Sequence, residues 1–285
     1  MQTDKFIADI QSDSADVRFA AWRSAAGQDP NAIGELGKLV ASSNPAVAKA
    51  AREAINTLTH GSQQRDAVVK QLLALASNGG PAARVLAYRN LSLIAGEDSV
   101  LTIAKAIHDN DLREEVVFCL ERIPGAAANK ALLAAYKDAK DDFKPRILAA
   151  FGHRRVEEAA PLCAQAMRSS NKEIALAAMK AYGRIGVRAQ AAWPDPAALG
   201  EWQKIEHMDS LLRFAEGQAQ RGNAAEAIKV YRQALDRPEE HWQCAGILGL
   251  ARIGTAEAAA AIHPKLKSSN AKVRITAQKA WKSMA

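Results

Sequence analysis

Aromatic side chains are scarce in this chain: tyrosine occurs four times, phenylalanine six, and aromatics make up only 5% of the residues. β-Branched residues are thin as well, so little is present from which to build a sheet. The apolar content of 48% is carried by alanine and leucine, the residues that close helix-on-helix packing uses. Metal ligands are also sparse. The six histidines (His60, His108, His153, His207, His241 and His263) never fall within five residues of one another. No His-Glu-x-x-His and no i, i+4 pair sets two imidazoles on one helix face, so no metal and no cofactor is expected. Cys119, Cys163 and Cys244 lie far apart in apolar stretches, which reads as free buried thiols rather than a disulfide framework. No apolar run approaches the ~18 residues of a membrane span. The opening MQTDKFIADIQSDS has no apolar signal core. The chain carries no address; cytoplasmic and, after loss of a signal peptide, periplasmic or exported locations both stay open.

Catalytic constellations are missing too. Glu157-Glu158 and Glu239-Glu240 are adjacent pairs, which point about 100° apart on a helix and complement its dipole instead of facing each other. Residues 183–186 (GRIG) and 249–254 (GLARIG) have no preceding strand and no phosphate-binding lysine. There is no Gly-x-Ser-x-Gly. A non-enzyme is expected. The net charge of +7 is uneven: six Lys or Arg and no acid follow from Lys265 onward, while residues 1–30 hold five Asp. A basic end attracts nucleic acid or an acidic partner, and equally suits a solvated helix face.

What the sequence has in abundance is a period. An apolar residue followed by small or apolar residues three, four, seven and eight positions on lies on one helix face. The pattern starts at Val17, Val47, Ala83, Leu112, Phe143, Ile174, Trp242 and Val273, at spacings of 30, 36, 29, 31, 31, 68 and 31, where 68 is twice 34. Asn44-Pro45, Gly80-Pro81, Asn110-Asp111, Asp141-Asp142, Asn171 and Asn270 stand just before these helices, as caps and first-turn prolines do. Gly61, Gly96, Gly125, Gly186 and Gly254 stand at their ends. Each unit reads as helix–turn–helix.

The segments SSNPAVAKAAREAINTL (42–58), SSNKEIALAAMKAYGRIG (169–186) and SSNAKVRITAQKAW (268–281) resemble the HEAT-repeat family. The resemblance implies an all-α fold, a right-handed α-α superhelix of about nine helix pairs with a concave surface lined by second helices. Residues 208–238 are similar to a tetratricopeptide repeat, through Gly222, Ala227, Tyr231, Ala234, Leu235 and Pro238; Ala215 and Gln218 depart from it. The expected organisation is a HEAT array over 1–186, a Trp/Pro-containing insertion at 187–207, the tetratricopeptide-like pair at 208–238 and C-terminal HEAT repeats at 239–285. Within the insertion, Trp193-Pro194-Asp195-Pro196 cannot be helix interior, and Pro196–His207 reads as a short helix carrying Trp202.

HEAT arrays are chiefly interaction scaffolds, so a protein partner on the concave face is expected, with no membrane association. Candidate contact residues are Trp193 and Trp202, alternatively covers for the seam where the packing changes, and the cations Arg84, Arg113, Lys144, Arg154 and Arg155. Arg18, Arg84, Arg113, Lys144 and Arg274 each follow an anchor by one residue and form a ladder. A ladder of this kind suits phosphates, and the alternative function is nucleic-acid binding in a basic groove, resembling HEAT-like DNA glycosylases. The same cations are placed to pair with the turn residues Asp16, Asp111 and Asp142. The final helix, with Val273, Ala277, Ala280 and Trp281 suited to stacking, also reads as the interior of a longer array or of an end-to-end assembly.

Overall fold

The computed structural model describes residues 2–189 and 193–284, among which there are 17 α-helices and no strand. They form two compact units, Met1–Asp138 and Ala139–Ala285.

The first unit contains α1 (Gln2–Ile10), α2 (Ala15–Arg23), α3 (Ala32–Leu39), α4 (Pro45–Gly61), α5 (Arg65–Asn78), α6 (Pro81–Ile94), α7 (Val100–Ala104), α8 (Arg113–Arg122) and α9 (Ala126–Asp138). The odd-numbered helices pack in one row, α1 on α3 and so on to α9, and the even-numbered ones in a second, α2 on α4 on α6 on α8. The repeat makes this possible, because each second-row helix buries its anchor side. Val47, Ala83 and Leu112 are all buried, as are Ala50, Ala51, Ala54, Ile55, Ala87 and Leu91 behind them. Val17 departs from the pattern at 39% exposed, and in α2 the burial falls on Ala21 instead.

The second unit contains α10 (Lys144–Arg154), α11 (Ala160–Ala166), α12 (Lys172–Ile185), α13 (Glu201–Gln220), α14 (Ala224–Leu235), α15 (Glu240–Ile253), α16 (Ala256–Ile262) and α17 (Ala271–Met284). Here α10, α12, α13, α15 and α17 form one row, and α11, α14 and α16 lie on the other side. The doubled spacing of 68 residues now has a cause. Among the described residues no α-helix lies between Gly186 and Glu201, where a first-row helix is due; α13 takes the second-row place, and α14 with α15 makes the next pair. The expected short helix at Pro196–His207 is instead a 3-10 turn, Pro196–Ala198, followed by the start of a 20-residue α13. Gln203 accepts from the Gly200 amide at 2.9 Å, so the helix begins after Gly200 and runs without a break to Gln220. The tetratricopeptide-like positions Ala227, Tyr231, Ala234 and Leu235 are buried.

The Ser-x-Asn triplets act as hinges between helices. Ser42, Ser169 and Ser268 each accept from the amide of the asparagine two residues on, at 3.2, 3.2 and 3.3 Å. Asn44, Asn171 and Asn270 then accept from the first-turn amides of α4, α12 and α17 at 2.9–3.0 Å. One tripeptide thus ends a turn and caps the next helix, satisfying amides that would otherwise be orphaned. Each unit is a stack of antiparallel helix pairs in two rows. The fold is all-α and of the HEAT type.

Candidate binding surface

The predicted cation ladder is largely occupied. The Arg18 guanidinium donates to the Ser12 carbonyl and that of Arg274 to the Ser268 carbonyl, 2.5 and 2.7 Å. Arg84 donates to the Ala76 carbonyl at 3.0 Å and pairs with Asp109 at 3.3 Å. Lys144 pairs with Asp141 at 2.8 Å, and Arg113 and Arg154 are each engaged in contacts of their own. The partners of Arg18, Arg84 and Arg274 are therefore mainly the carbonyls that end the preceding turn. Those carbonyls have no helical partner, and a guanidinium one residue after the anchor is in reach of them.

The tryptophans separate. Trp193 lies among Tyr182, His207 and Phe214, with ring centroids 5.3, 5.7 and 5.7 Å away. The Tyr182 hydroxyl accepts from the Ala189 amide at 2.8 Å, which ties the chain leaving α12 to the same cluster. His207 is buried, and desolvation, reinforced by the Arg237 charge, holds its imidazole below the ordinary histidine range. Trp193 thus packs against both α12 and α13. Trp202, at 63% exposed, does not join it.

In the first unit a groove of ≈ 690 Å³ runs between α4 and α6, and its lining includes Glu53, Asn56, Thr57, Leu86, Arg89 and Leu93. Asn90 is buried beneath it and donates to the Asn56 amide oxygen at 3.1 Å and to the Leu86 carbonyl at 2.9 Å. This bond fixes the orientation of Asn56. Arg89 forks onto Glu115 of α8 with bonds of 2.6–3.2 Å, and that pairing raises its pKa further. Leu93 is 54% exposed at one end. The lining therefore mixes fixed amides, a hydroxyl, both charges and leucine. Among the described residues no group of three His, Cys, Asp or Glu could hold a metal ion. Among the same residues no helix is long and apolar enough to cross a membrane.

No protein-family model matches this chain, and no curated protein matches it. Solved structures that match the chain include an engineered protein, 17% identical over 100% of this chain and 89% of that one, at a TM-score of 0.42. Kap121p bound to Nup53p is 14% identical over 98% of this chain, which spans 33% of that one, at a TM-score of 0.46. The complex of CpcE and CpcF of phycocyanin lyase from Nostoc is 17% identical over 90% of this chain and 95% of the other, at 0.40.

Of the seven candidate residues, Arg84 and Arg113 fall in the first unit and Lys144, Arg154, Arg155, Trp193 and Trp202 in the second. None lines the α4–α6 groove. The groove residues gave no signal as a motif. Asn56, Arg89 and Leu93 lie on the side of each helix away from the apolar stripe, where any polar residue is compatible with the repeat.

Proposed function

We propose that this protein is a non-catalytic scaffold that binds an extended segment of another protein in the α4–α6 groove. The observation that carries the reading is the lining of that groove. Asn56 is held in place by Asn90, and with Thr57 it offers donors and acceptors suited to a peptide main chain. Leu86 and Leu93 offer apolar contact, and Glu53 offers charge at the edge. An open, mixed groove on rigid helices suits many dispersed contacts, as a chain segment makes, more than a small ligand, which needs enclosure.

Site-specific photo-crosslinking tests this. A photoreactive residue at Thr57 or Leu93 should give a discrete, saturable protein adduct in an extract of the native cells. The same residue at Leu101, which is 81% exposed and outside the groove, should not. Adducts that do not depend on position, or adducts to nucleic acid alone, would defeat the reading.

A further inference from the structure

Five described residues have positive φ: Gly125, Gly186, Gly222, Gly254 and Arg155. Gly186 and Gly254 end α12 and α15 in the left-handed conformation, at φ 65 and 71. Arg155 occupies the same place at the end of α10, with φ 52 and ψ 49. The Val156 amide reaches back to the Phe151 carbonyl at 2.9 Å, the closure that forces this conformation. The sequence carries the correspondence: GHRRV at 152–156 aligns with GRIGV at 183–187, 31 residues on. Glycine adopts this backbone freely and a branched-out side chain does not. A strained arginine where two sister repeats have glycine points to a use for its side chain.

Its surroundings show the use. Arg155 lines a small depression of ≈ 40 Å³ together with Arg184 of α12, Arg213, Glu216 and Gln220 of α13, and Arg221 just after it. Close helix approach gathers them, since a methyl on Gly217 would stand 2.7 Å from the Gly186 Cα. Two of the arginines are neutralised: Arg213 by Asp209 at 2.8 Å and Arg221 by Glu157 at 2.6 Å. Glu216 is drawn to Arg252 at 3.6 Å. Among the described residues Arg155 and Arg184 have no carboxylate partner, so the depression keeps an excess of two positive charges. Guanidinium forks match the two oxygens of a carboxylate.

We propose that this depression anchors an acidic side chain, Asp or Glu, on an acidic segment of a protein partner. Such a site presupposes that the protein binds other proteins, and adds a second contact point in the other unit. The size of the depression admits one carboxylate. The excess positive charge is confined to this one small depression, which suits a peptide that spaces its acids apart rather than a polyphosphate backbone, whose charges come in an unbroken row.

The test is fluorescence anisotropy with the full chain and a labelled peptide of alternating Glu and Gly, a Gln/Gly peptide of equal length, and a single-stranded oligonucleotide of equal charge. Wild type should bind the acidic peptide and not the neutral one. Arg155→Gly should weaken it at least about fivefold while raising the melting temperature, and Arg184→Gln should weaken it with the fold intact. Lys105→Gln with Lys137→Gln, which removes two exposed charges elsewhere, should leave it within about twofold. Equal loss in that control, no loss in Arg155→Gly and Arg184→Gln, or an oligonucleotide that binds more tightly than the peptide and is the species lost would each overturn the proposal. Photo-crosslinking in the α4–α6 groove that persists in Arg155→Gly/Arg184→Gln, together with unchanged peptide binding, would sink this site and leave the protein-binding reading standing.

Discussion

Among the glycines, Gly183 in α12 has the closest neighbouring backbone. A methyl group built there would stand 2.4 Å from the Ser210 carbonyl oxygen and 2.9 Å from its Cα, both in α13. Two effects oppose each other in Gly183→Ala. Mid-helix alanine is favoured over glycine by ~1 kcal/mol. The contact, however, must open by roughly 0.6–1 Å to restore van der Waals distance, and the neighbour is main chain, with no rotamer to yield. A gap of that size forfeits about a quarter to a half of each dispersion contact along the crossing. Overpacking of this kind costs ~1–3 kcal/mol, so the net expectation is a loss of about 1–2 kcal/mol. Gly34→Ala is the companion, because Gly34 is exposed on α3 with nothing within 4 Å of a built methyl. There only the propensity gain remains, a stabilisation of up to ~1 kcal/mol. Urea unfolding followed by circular dichroism should show the Gly183→Ala midpoint lower, on the order of 0.5 M, and the Gly34→Ala midpoint unchanged or higher. Equal, stabilising shifts in both variants would mean that α12 and α13 do not approach as described.

Three further outcomes follow from burial. Ala277 is fully buried on α17, so Ala277→Leu should cost ~1–3 kcal/mol, whereas Ala177, only half-buried on α12, should tolerate leucine better; denaturant midpoints that rank the other way would place the wrong faces inward. Burial pushes the Cys119 and Cys163 thiols up to about 12, while Cys244 is partly exposed, so Cys244 should react first with a disulfide reagent in native buffer and the others only on unfolding; a single fast phase of three thiols would refute this. His207 is kept neutral by desolvation, so its folded pKa lies below the unfolded value of about 6.5; the stability it contributes is full above that pH and is lost as pH falls through the folded value, and His207→Phe should flatten the decline of the urea midpoint below neutrality. A variant as acid-sensitive as wild type would remove His207 from that account.

The repeat was legible because its signals are local. Ser-x-Asn turns, first-turn prolines and the spacing of small residues are set by the helix they begin, and the helices start where those signals stand. Three features were not. The short helix expected at Pro196–His207 joined α13, because nothing at His207 stops a helix already begun at Glu201. Arg18 and Arg274 took turn carbonyls instead of aspartates, since a backbone acceptor left unpaired at a helix end is costly to leave bare. Arg155 stood among the candidate contact cations with nothing to set it apart from the others. Its sister positions Gly186 and Gly254 were visible in the sequence, but only the backbone angle shows that an arginine adopts the conformation that glycine supplies elsewhere. The Asn56–Asn90 pair was hidden for a different reason: it joins residues 34 apart whose facing depends on how α6 crosses α4.

The central claim is that the α4–α6 groove binds a protein segment. The most direct measurement titrates the partner segment identified by crosslinking, as a labelled peptide, against wild type and Leu93→Glu. Leu93 is 54% exposed, so the substitution leaves the core untouched. A buried interface leucine replaced by a charge should weaken binding at least about tenfold, or ~1.4 kcal/mol, with equal melting temperatures for the two proteins. Identical affinity of Leu93→Glu and wild type, or a peptide displaced by duplex DNA with a steep dependence on salt, would contradict the claim.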